Sequence, residues 1–139
     1  MGQQQLLLLV LGIVIVGLAV VVGIQAFGEN QQKSNIDAMT NDGIRIASDA
    51  QAWALKPQAF GGGEGNFCSN GAADDDTPIT LALLGVDATN VNGTYTLANT
   101  ACTGITITGA SGSSDAEVVV TVVGTDADDI STAVFPDGQ

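Results

Sequence analysis

Three groups of residues in this 139-residue chain could do chemistry: two cysteines, two clusters of aspartate and one asparagine in a sequon. Cys68 and Cys102 are the minimum for a disulfide, and the chain has no histidine to complete a zinc site. A structural bridge is therefore expected, which suits an extracytoplasmic location. Closing a loop of that span is worth roughly 3–4 kcal/mol in the chain-entropy model. Asp74, Asp75 and Asp76 in one loop, or Asp126, Asp128 and Asp129 in GTDADDI, offer hard oxygens of the kind calcium takes. The D-x-D-D spacing lacks the later glycine and glutamate of a helix–loop–helix calcium site, so solvated turn aspartates and no bound metal are expected. Asn92-Gly93-Thr94 matches an N-glycosylation sequon, and Asn-Gly is equally a turn signal. Without histidine neither a Ser-His-Asp nor a Cys-His arrangement can form. GGGEG at 61–65 is not followed by Lys-Ser/Thr, so it is no phosphate loop. No catalytic residue and no cofactor follow, and the expectation is a protein that is not an enzyme.

Fifteen acids against three bases give a net charge of −12, all of it after residue 28. Such a surface repels phosphate backbones, so nucleic acid is not an expected partner. The bland consequence is a hydrated exterior that resists aggregation.

The element that stands out is the N-terminal run MGQQQLLLLVLGIVIVGLAVVVGIQAFGEN, in which Glu29 is the first charge. Its apolar side chains are Leu6, Leu7, Leu8, Leu9, Val10, Leu11, Ile13, Val14, Ile15, Val16, Leu18, Val20, Val21, Val22 and Ile24. Residues 6–24 make a helix of about 28 Å, close to the ~30 Å hydrocarbon thickness of a bilayer. The run exceeds the apolar core of a cleaved secretory signal and has no basic region before it, so a retained membrane helix is expected.

Beyond the polar GENQQKSN, apolar residues recur at Ile36, Met39, Ile46, Ala50 and Trp53, with Gly43 between. Steps of three and four make this the stripe of an amphipathic helix, its other faces carrying Asp37, Asn41, Asp42, Arg45, Asp49 and Gln51. Pro57 ends it, because proline disfavours helical backbone in the residue before it. Strand-like runs follow at 79–86, 93–98, 104–110 and 116–124, separated by turn residues, and ISTAVFPDGQ closes the chain as an edge strand or tail. ITIT puts Ile105 and Ile107 on one face and Thr106 and Thr108 on the other. The expected class is α+β: a long N-terminal helix, apolar half protruding, packed through its second half on a small antiparallel sheet. Residues 3–28 form the apolar half-helix, 29–56 the amphipathic half and 57–139 a β-rich head.

This pattern resembles type IV pilins and pseudopilins, whose prepilin leader ends in glycine and is cut by a prepilin peptidase just before an apolar helix. The resemblance makes Met1-Gly2 the leader and Gln3 the new N-terminus, with Leu6–Ile24 the polymerising helix and Cys68–Cys102 the bridge of the head. Leu7 stands where the family usually carries a glutamate at the fifth mature position, and the leader has no basic residue. The implied function is a structural subunit of an extracellular filament, a helical homo-oligomer assembled by its machinery from the cytoplasmic membrane, whose acidic head serves adhesion or motility. The alternative is a membrane-anchored extracytoplasmic domain, or a minor pseudopilin of a secretion system. Physics points the same way as the resemblance: a helix apolar on all faces leaves lipid only when other such helices replace the lipid.

Overall fold

The structure is a computed structural model that describes residues 2–68, 79–100 and 102–138. Helix α1 spans Gly2–Leu55. Four strands follow: β1 (Thr94–Thr100), β2 (Gly104–Ala110), β3 (Glu117–Val122) and β4 (Ile130–Phe135). They form one antiparallel sheet in the order β1-β2-β3-β4. Residues 1–34 and 35–139 are two compact units.

In the second unit, one sheet face meets α1. Register places Leu97, Ile107 and Val120 in one row and Asn99, Ile105, Val122 and Ile130 in the next. Ile105, Ile107, Val118, Val120 and Val122 are buried, as the two-residue strand period requires of one face. From the helix, Met39, Ile46, Ala47, Ala50 and Ala54 fill the other side of this core, and Ile36 and Trp53 pack at its margin. Gly43 faces β3 at Val120. A Cβ built there would lie 2.8 Å from Val120 Cγ2, so a larger residue requires the Val120 side chain to shift.

The end of α1 explains GGGEG. Helix C-termini leave carbonyls without intrahelical partners. Here Gly63 N donates to Trp53 O (3.2 Å), Glu64 N to Lys56 O (3.1 Å) and Gly65 N to Ala54 O (2.7 Å). The chain folds back so tightly that a Cβ on Gly63 would sit 2.8 Å from the Trp53 ring. The glycine run is a cap wrapped over the last turn.

One expected strand is absent. Residues 79–86 form a turn, with Leu84 N donating to Thr80 O (3.3 Å), Val86 N to Leu81 O (3.0 Å) and Gly85 N to Ala82 O (3.1 Å). Gly85, at φ 68°, ends it in the left-handed conformation that only glycine adopts cheaply. Leu81 and Leu84 pack on the core at helical spacing while Leu83 is exposed, so the run follows a helical period and not strand alternation. The fourth strand is instead Ile130–Phe135, which pairs with β3 along its whole length.

Candidate functional site

Among the described residues, α1 is long and apolar enough to cross a membrane. Its side chains from Leu6 to Ile24 are all exposed, from 52% at Val14 to 70% at Leu7 and Leu8. Among the described residues, nothing lies within 4 Å of a Cβ built on Gly12, Gly17, Gly23 or Gly28. At about 100° per residue, Gly12 and Gly23 share one line along the helix and Gly17 and Gly28 another, roughly 140° away. Each line is a place where a second backbone can approach closely. Gln3, Gln4 and Gln5 precede this surface, and Gly2 is the first described residue of the helix.

The second unit contains a polar cluster that the sequence does not announce. Asp42 Oδ2 accepts three hydrogen bonds, from Asn90 Nδ2, Asn92 Nδ2 and Tyr95 OH, each 2.8 Å. Asn90 Oδ1 in turn accepts from the backbone nitrogens of Asn92 (2.8 Å) and Gly93 (3.1 Å). A single helix carboxylate thus latches the turn before β1 onto α1. Partial burial alone would raise the Asp42 carboxyl, but the three donated bonds and the Arg45 charge outweigh it and hold the group below its usual value. Burial, then the bond to Asp42 and its negative charge, pushes the Tyr95 phenol well above its usual value. A cavity of about 50 Å³ beside them is lined by Asp42, Arg45, Ile46, Val86, Asp87, Asn90 and Tyr95. It has the size and polarity for ordered water.

Gln51 makes a second tie. Although it belongs to the polar set of the helical pattern, it is buried, and its Nε2 donates to Gly124 O (3.0 Å) and Asp126 O (2.8 Å). The amide satisfies two carbonyls of the β3–β4 loop. Asp126 and Asp129 cap the short 3-10 turn Ala127–Asp129 reciprocally, and Asp126 N donates to Asp129 Oδ2 (3.1 Å). Among the described residues no group of three His, Cys, Asp or Glu side chains could hold a metal ion. Asp74, Asp75 and Asp76 lie outside the described residues.

Cys68 and Cys102 form a disulfide, with Cα atoms 5.2 Å apart. Asn99 organises the surrounding backbone: its Nδ2 donates to Phe67 O (2.9 Å) and its Oδ1 accepts from Cys102 N (3.2 Å). Asn92, the sequon asparagine, is half-buried and committed to Asp42 through the very nitrogen that a glycan would occupy. Sequence patterning missed Asp42, Tyr95, Asn99 and Gln51 as organising residues, because each meets its partner only after folding. The Asn-x-Asn-Gly spacing at 90–93 was the one available signal, that of a turn.

Comparison with protein families, with curated proteins and with solved structures returns no match to this chain.

Proposed function

We propose that this protein is a structural subunit of an extracellular type IV pilus-like filament, polymerising through the apolar half of α1 with the acidic head exposed to the surroundings. One observation carries the reading: Leu6–Ile24 is apolar on every side and exposed along its whole length. A stretch of that kind needs lipid or other helices around it. The two glycine lines favour helices over lipid alone, because they offer close approach on two sides, and a subunit with two neighbours propagates where a dimer would close. The long helix, the small antiparallel sheet and the disulfide are consistent with a pilin-like architecture. The proposed partners are copies of the chain, the bilayer before assembly, and an assembly machine with its prepilin peptidase acting between Gly2 and Gln3.

Shearing and fractionation test this directly. The chain is expected in the sheared, pelletable fraction of cells, beginning at Gln3 by mass spectrometry. A chain found only in membranes, released by detergent as single molecules, overturns the filament and leaves the single-span anchor.

A further inference from the structure

Asn92 and Gly93 are each fixed by a separate demand of the fold. Asn92 supplies a donor to Asp42 (2.8 Å). Gly93 is buried where a Cβ would run into the Ala110 carbonyl and lie 3.1 Å from Met39 Sδ. Together these demands create an Asn–Gly pair, in which an unhindered backbone nitrogen stands next to a side-chain amide carbon. We propose that Asn92–Gly93 is a self-modifying site, and that the Asp42 latch is what keeps it closed.

The reaction needs only water and hydroxide. Gly93 N gives its proton to hydroxide and attacks Asn92 Cγ. The new C–N bond closes a five-membered imide, the Cγ–Nδ2 bond breaks, and the nitrogen leaves as ammonia with a proton taken from water. Water then opens the imide at one carbonyl or the other, leaving aspartate or isoaspartate. In the folded chain both reacting groups are occupied, since Nδ2 is held by Asp42 and Gly93 N donates to Asn90 Oδ1 at 3.1 Å. The charged and titratable groups beside the latch are Asp42, Arg45, Asp87 and Tyr95, and Asp42, which accepts from Asn92 Nδ2, disfavours a negative charge forming next to that side chain. Reaction therefore waits on local opening of the turn. Once it occurs, the latch cannot close again as before. Aspartate puts a second carboxylate beside Asp42 in place of a donor, and isoaspartate lengthens the backbone next to buried Gly93. The inference is independent of how α1 assembles.

Peptide mapping of the full chain, incubated at mildly alkaline pH, tests it. A short synthetic peptide spanning residues 89–95, added to every sample, serves as the reference. Relative to that reference, Asn92 in the folded chain is expected to convert about tenfold more slowly, or slower still, than in the reduced, denatured chain. Folded Asp42→Ala is expected to recover most of that difference. Equal relative rates in folded and denatured wild type overturn the proposal, as does a folded Asp42→Ala chain that protects Asn92 as well as wild type does. Should Asp42→Ala not fold, Asp42→Asn, which keeps the shape and removes the charge, is judged by the same rate.

Discussion

The two stretches of α1 share a secondary structure and differ in what surrounds them. Between residues 35 and 55 the helix carries its apolar side chains as a stripe, and Met39, Ala47, Ala50 and Ala54 are fully buried within their own unit. Between residues 6 and 24 there is no polar face, and every large side chain is more than half exposed. A stripe can be satisfied by one sheet, but a cylinder that is apolar all round needs neighbours on every side. Where the greasy surface lies thus decides whether a helix completes a fold or asks for an assembly.

The strongest way to break this comparison is to charge the first stretch. Leu11→Lys together with Val14→Lys should cost about 2.5–3.5 kcal/mol for each lysine placed near the centre of an apolar span. The expected outcome is loss of the chain from both the polymer and the membrane pellet, with the melting temperature of the second unit unchanged. Sedimentation and a circular-dichroism melt read the two effects separately. A fall in melting temperature would mean that the stretches depend on each other for stability.

The converse perturbation acts on the second unit. Reducing Cys68–Cys102, which closes a loop spanning 34 positions, should remove roughly 3–4 kcal/mol of stability. For a unit of this size that lowers the melting temperature by on the order of 20 °C. Pelleting of already assembled material should not change, because the bridge lies far along the chain from Leu6–Ile24. A melt with and without reductant, followed by sedimentation, checks both halves of the statement.

Much of this division was legible before folding. The apolar run is plain in composition, and the alternation of Ile105, Thr106, Ile107 and Thr108 announced β2 because each side chain reports its own face. The helical stripe and the α+β class followed from the same local periodicity. What stayed hidden was long-range. Residues 79–86 carry enough leucine and isoleucine to pass for a strand, and only the sheet register shows that Ile130–Phe135 holds that place. Gln51 and Asp42 look like solvent-facing positions of an amphipathic helix. Their partners lie as far as 75 and 53 positions away, and no local pattern encodes such a pairing. What surrounds Leu6–Ile24 was no more legible, since a run apolar on every side does not say whether lipid or other helices cover it.

A smaller effect sharpens the role of the latch. Hydrogen bonds to a charged group are worth more than neutral ones, so Asp42→Ala should cost about 2 kcal/mol after allowance for its partial exposure. The pH dependence has two arms. The Asp42 carboxyl is held below its ordinary value of 3.8, so its contribution is complete above that pH and is lost as pH falls through the lowered value of the folded state. The Tyr95 phenol is raised, so its contribution is complete below about pH 10 and fades as the pH climbs past it. Denaturant melts across both windows should show the two losses in wild type and neither in an Asp42→Ala, Tyr95→Phe chain.

The smallest expected effect concerns the neighbouring ion pair. Arg45 Nε lies 4.0 Å from Asp49 Oδ2, four residues on, with side chains 78% and 47% exposed. Water screens such a pair, and holding two long side chains together costs conformational freedom, so Arg45→Ala should change stability by only about 0.3–0.5 kcal/mol. Arg45 also lines the cavity beside Asp42 and contributes to keeping that carboxyl ionised. The substitution should therefore shift the acid limit of the melt slightly upward while leaving the neutral-pH stability almost unchanged. A loss at neutral pH as large as that of Asp42→Ala would show that the guanidinium, and not the three neutral donors, holds the latch together. An acid limit left in place would confine Arg45 to its exposed partner on the helix.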